Sequence, residues 1–107
     1  MADIIEIKDT DFTETVVNAK GLTVVDFFAP WCGPCRKLSD IISQIADDFA
    51  GRVKIYKLNT DENIETAKQY SVSSLPTILI FKDGESVERL VGLVPKSSIV
   101  THIEKHL

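Results

Sequence analysis

Apolar residues come along this chain in short bursts whose period changes. Ile4, Ile5 and Ile7 predict a short first strand. Asp9-Thr10-Asp11 offer helix caps ahead of Phe12, Val16 and Val17, and Gly21 closes that segment. Leu22 to Ala29 is a nearly continuous β-branched and aromatic run, the pattern of a central strand covered on both faces. From Pro34 to Phe49 the period becomes helical. Cys35, Leu38, Ile42, Ile45, Ala46 and Phe49 share one stripe, while Arg36, Lys37, Asp40, Gln44, Asp47 and Asp48 face away. Val53 to Asn59 predicts another strand, followed by a short helix through Ile64, Ala67 and Tyr70. Leu75-Pro76 leads into a strand over Thr77 to Phe81. Asp83-Gly84 then marks a hairpin turn into a more polar strand over Ser86 to Val91, which suits a sheet edge. Ile99, Val100, Ile103 and Leu107 give a closing helix its buried face.

That order, βαβαβα followed by ββα, predicts an α/β fold with a central mixed sheet and helices on both of its faces. No linker, repeat or low-complexity stretch interrupts it, so residues 1–107 read as one domain. A net charge of −4 argues against nucleic acid or an anionic membrane as the main partner. No apolar run has the length of a membrane span, and Met1-Ala2-Asp3-Ile4-Ile5-Glu6 lacks the basic-then-apolar order of a signal peptide. The expectation is a cytoplasmic protein, with an organelle stroma or matrix open if a presequence belongs to it.

Candidate chemistry centres on both cysteines, in Trp31-Cys32-Gly33-Pro34-Cys35 directly after the Leu22–Ala29 run. With Pro34 opening a helix, Cys32 sits at its N-terminus, where unpaired backbone N–H groups and the dipole favour a thiolate. The thiolate is the nucleophile of disulfide exchange. Residues i and i+3 of a helical turn stand about 5–6 Å apart, a spacing a disulfide can bridge. Cys35 falls at the edge of the apolar stripe and Cys32 off it, which predicts one shielded and one presented sulfur. Two other readings stand beside redox exchange. A structural bridge closing so short a ring gains only about 2 kcal/mol, against about 4.7 for a 100-residue loop. A zinc centre would need His102 and His106, far beyond the usual gap of about 12–15 residues from the cysteines, and those two histidines read as a solvated flank of the last helix.

Taken with Asp26-Phe27-Phe28-Ala29-Pro30 before the cysteines, and with Lys57-Leu58-Asn59, Leu75-Pro76-Thr77, Phe81-Lys82-Asp83-Gly84 and Gly92 after them, the chain resembles the thioredoxin family over essentially its whole length. The resemblance implies the thioredoxin fold and a protein-disulfide reductase working by dithiol–disulfide exchange. Cys32 would be the nucleophile and Cys35 the resolving residue, the two closing a disulfide as the substrate is reduced. It further implies a cis peptide bond at Pro76, and a client-binding surface of Trp31, Gly33, Pro34, Leu75, Pro76, Val91 and Gly92. Partners would be disulfide-containing client proteins and a separate reductase, since no G-x-G-x-x-G fingerprint is present for a bound dinucleotide. No cofactor and no metal is expected, and the protein should act as a monomer.

Asp26 interrupts a strand that has no exposed face, so desolvation should raise its pKa and fit it to accept the Cys35 proton through a water. A hydrogen-bonded structural carboxylate is the competing reading; the resemblance favours the catalytic one, with Lys57 as electrostatic partner. Phe28, Asp40, Ser73 and Ser74 depart from the family's usual tryptophan, helix-kinking proline, arginine and glycine. Loss of that arginine would bear on partner choice rather than on reaction type.

Overall fold

The computed structural model describes residues 4–107, so the reading of the N-terminal segment as free of a leader falls partly on residues 1–3, outside the described residues. In chain order the elements are β1 (Ile5–Ile7), α1 (Asp9–Phe12), β2 (Leu22–Phe28), α2 (Gly33–Asp48), β3 (Lys54–Asn59), α3 (Ile64–Gln69), β4 (Thr77–Lys82), β5 (Glu85–Val91) and α4 (Lys96–Glu104). The five strands lie in the order β1-β3-β2-β4-β5. β1 and β2 run parallel to β3, while β4 runs antiparallel to both β2 and β5. This is the mixed sheet expected from the sequence, with β2 at its centre.

Period-two alternation along β2 and β4 splits the apolar residues between two cores. Leu22, Val24, Ile78 and Ile80 pack under α2 and α4 with Leu38, Ile42, Ile45, Ile99 and Ile103. Val25, Phe27, Leu79 and Phe81 face the other way, against Phe12, Val16 and Tyr70. Phe12, Tyr70 and Phe81 meet there at tilted and edge-to-face angles, with ring centroids 5.3–5.7 Å apart. Burial on both faces explains why the Leu22–Ala29 run has no polar face. No helix among the described residues is long and apolar enough to cross a membrane.

Three local expectations are corrected. The first helix is only one α-turn, continued by a π-helical turn over Thr13–Val17. Asp9 and Asp11 occupy its first turn and Lys8 is the N-cap; Asp11 caps as expected, its Oδ2 accepting the Lys8 backbone N–H at 3.0 Å. Asp9 instead caps α3, accepting hydrogen bonds from the Thr66 amide at 2.9 Å and hydroxyl at 2.6 Å. Leu107 is not part of the buried face. Past Glu104 the chain tightens to i→i+3 bonds, His106 N–H to Ile103 O and Leu107 N–H to Glu104 O, which turns Leu107 off the core, 53% exposed.

The Asp83-Gly84 hairpin forms as expected, both residues having positive φ (50° and 86°). Gly84 is required twice over, because a Cβ there would collide with the Val17 carbonyl oxygen at the end of the π turn. Gly84→Ala should therefore destabilise by well over the ~0.5 kcal/mol of an ordinary surface substitution. A drop in denaturation midpoint is the check.

Candidate active site

Strand β2 ends at Phe28, and the next turn delivers Cys32 at the carboxyl edge of the sheet, where α/β folds place their sites. Cys32 is the N-cap of α2, with extended backbone angles, and Pro34 lies in the first turn of the helix. Its sulfur accepts the Cys35 backbone N–H at 3.2 Å. Cys32 and Cys35 are joined as a disulfide, with a Cα–Cα distance of 5.2 Å. The sequence predicted a contrast in exposure, but Cys32 is only 5% exposed and Cys35 2%. The turn folds Cys32 into a small cluster with Ala29, against which Phe28 and Leu75 pack. What distinguishes the two sulfurs is their place on the helix: Cys32 receives an N–H at its mouth, and Cys35 sits inside its first turn.

The other expected residues fall into two groups. Trp31 (69% exposed) and Pro34 lie open beside the cysteines, with Gly33 half-buried between them. The Trp31 indole N–H donates to Asp61 Oδ2 at 2.9 Å. Leu75–Pro76 is a cis peptide bond, and Leu75 touches the cysteine cluster. The Gly92 N–H donates to Pro76 O at 2.8 Å, and Val91 pairs with Thr77 across β4 and β5. Leu75, Pro76, Val91 and Gly92 thus form one continuous edge.

Asp26 and Lys57 lie opposite each other across β2 and β3. Both line a cavity of about 230 Å³ with Phe28, Ala29, Pro30, Cys35, Arg36 and Ser39. Asp26 is buried, and its Oδ1 has no hydrogen-bond partner among the described residues. Burial pushes its pKa up to about 7, partly offset by the Lys57 cation. A cavity of this size joining carboxyl and sulfur has room for water between them. Ser39 and Arg36 were not singled out from the sequence. Ser39 stands one helical turn after Cys35, so the i,i+4 rule was the signal available; Arg36 is fixed by a bond to Pro30 O at 2.8 Å, which no spacing reveals.

The histidines are placed differently from expectation. Rather than forming a solvated flank, both are part-buried and converge on Glu88 of β5. His106 Nε2 lies 2.7 Å from its Oε2 and His102 Nε2 3.9 Å from its Oε1. The His106 bond holds the Glu88 carboxyl below the usual carboxylate range. Among the described residues, no group of three or more His, Cys, Asp or Glu side chains is placed to hold a metal ion.

A Cys-x-x-Cys pair at a helix mouth, on the carboxyl edge of a mixed sheet, defines a dithiol–disulfide oxidoreductase. Comparison with known proteins agrees. The family model described as Thioredoxin matches residues 3–105. The chain is 45% identical over 102 residues to a thioredoxin of Synechocystis sp., covering 95% of each. It is 41% identical over 107 residues to a thioredoxin of Haemophilus influenzae, covering 100% of both. To the chloroplastic thioredoxin M-type of Pisum sativum it is 44% identical over 101 residues, 94% of this chain and 59% of the other. The chain belongs to the thioredoxin family, whose members are protein-disulfide oxidoreductases acting by dithiol–disulfide exchange.

Proposed function

We propose that the chain reduces disulfides of client proteins with Cys32 as nucleophile and Cys35 as resolving thiol. The observation that carries this is the Cys35 N–H directed at the Cys32 sulfur at the mouth of α2. In the reduced state the same N–H and the helix dipole stabilise a Cys32 thiolate. That thiolate attacks one sulfur of the client disulfide. A Cys32–client bond forms, the client S–S bond breaks, and the leaving client sulfur takes a proton. Cys35 then loses its proton to Asp26 through water in the shared cavity, and its thiolate attacks Cys32. The Cys32–Cys35 bond forms, the Cys32–client bond breaks, and the second client sulfur leaves as a thiolate that takes a proton from water.

Trp31, Gly33, Pro34, Leu75, Pro76, Val91 and Gly92 form the docking edge, and Lys57 steadies the Asp26 carboxylate. Two electrons from a separate reductase return the pair to the dithiol. The protein works as a monomer and a single domain, in a reducing compartment such as the cytoplasm or a plastid stroma.

Alkylation of the reduced protein near neutral pH, followed by peptide mapping, tests the assignment. Cys32 should be labelled first, since the thiolate is the reactive form. Preferential labelling of Cys35 would reverse the two roles.

A further inference from the structure

We propose that Arg89 is a positioning residue for client recognition. Its guanidinium grips the end of α3 and so fixes the loop that presents Leu75 and Pro76. This inference rests on the docking edge proposed above.

Helix α3 ends in a paired turn: Ser71 N–H donates to Lys68 O at 3.1 Å and Val72 N–H to Ala67 O at 2.8 Å. In this kind of ending the residue after the cap takes a left-handed conformation and is usually glycine. Here it is Ser71, at φ 56°. A side chain at that conformation is strained, because its Cβ crowds the following carbonyl oxygen, so support from elsewhere stabilises the turn. Arg89 reaches across from β5 to supply it. Its Nη2 donates to Tyr70 O and its Nη1 to Ser71 O at 3.5 Å. The Tyr70 carbonyl is left over at the helix end and the Ser71 carbonyl directly follows it, where a cation also complements the dipole.

Arg89 lies opposite Leu79 and two residues before Val91, so the strand that carries one part of the docking edge also holds the loop that carries the other. At its far end the loop is fixed by the Thr77 hydroxyl donating to Ser74 O at 2.6 Å and by the Gly92–Pro76 bond. Between these anchors Ser73 and Ser74 are exposed, and among the described residues neither side chain makes a hydrogen bond. Arg89 is therefore the side-chain hydrogen-bonding anchor at the α3 end of the loop, beside Val72, which packs against the second core. A cation thus reaches this loop from β5.

The test compares wild type, Arg89→Gln, Arg89→Lys and the double variant Arg89→Gln, Ser71→Gly in steady-state reduction of insulin and of hydroxyethyl disulfide. Dithiothreitol regenerates the dithiol. Lysine keeps the charge but lacks the planar fork that spans two carbonyls. Both single variants should raise KM for insulin by about fivefold, as expected on losing an anchoring hydrogen bond, with kcat within about twofold. Hydroxyethyl disulfide, too small to use the loop, should be reduced at the wild-type rate. Ser71→Gly, which accepts positive φ freely, should recover at least half of the loss. The proposal is overturned if KM for insulin is unchanged in Arg89→Gln, if Arg89→Lys behaves as wild type, if both substrates slow equally, or if Ser71→Gly recovers nothing. A wild type that fails to reduce insulin would instead overturn the docking-edge reading itself.

Discussion

Cys35→Ser should accumulate covalent adducts with client proteins, whereas Cys32→Ser should capture none and should reduce disulfides no faster than the uncatalysed rate. The difference follows from where the two sulfurs stand. Cys32 caps α2 and receives the N–H that stabilises a thiolate, so attack survives when Cys35 is lost. Cys35 supplies the second thiolate from within the helical turn, 5.2 Å away between Cα atoms. Without it the mixed disulfide has no internal nucleophile and persists until an external thiol arrives. Non-reducing electrophoresis of each variant after incubation with disulfide-bearing proteins reads the outcome. Adducts formed by Cys32→Ser and absent from Cys35→Ser would invert the mechanism.

Asp26→Asn should stabilise the oxidised protein and slow the resolving step, and both effects should depend on pH. The carboxyl titrates near 3.8 when unfolded and near 7 when folded. Between those values the folded state holds the extra proton, so stability falls as pH rises from about 4 to about 7 and is level above that. Full ionisation costs about 4 kcal/mol relative to acid pH, at about 1.4 kcal/mol per unit. The neutral amide escapes this cost but buries donors of its own, which offsets about 1–3 kcal/mol. The net expectation is a higher denaturation midpoint for Asp26→Asn near pH 8, and an equal or lower one near pH 4. Resolution of the mixed disulfide should slow about tenfold near neutral pH, the low side of general-base effects because water can substitute. The rise in wild-type rate around pH 7 should vanish with the carboxylate. A lower midpoint for the variant at pH 8 would mean that Lys57 compensates the charge fully and that burial is not the dominant influence.

Features set by neighbours in the sequence were legible before the structure. The run from Leu22 to Ala29 marked the central strand, Asp83-Gly84 the hairpin, and Trp31-Cys32-Gly33-Pro34-Cys35 the helix mouth with its reactive pair. Asp26 stood out because an ionisable group in a strand covered on both faces has nowhere to go. Contacts between distant segments were not legible. Asp9 looks like a cap for its own helix, yet its carboxylate serves Thr66. The burial of Cys32 depends on Leu75 folding over it, and a turn of π-helix at Thr13–Val17 leaves no mark on a pattern this short. His102 and His106 looked solvated because their partner, Glu88, belongs to a strand whose register fixes it only after folding. Arg89 read only as part of a polar edge strand, since its partners are the backbone carbonyls of Tyr70 and Ser71, which no side-chain pattern reveals.

The most direct measurement counts thiols. Protein reduced at Cys32 and Cys35, freed of excess reductant, is mixed with an excess of a protein carrying one accessible disulfide. The account predicts that two client thiols appear for each molecule that loses its own two, with no added cofactor, and that the Cys32→Ser, Cys35→Ser double variant yields none. Client thiols that appear equally with the double variant, or a pair that stays reduced beside an intact client disulfide, would contradict it.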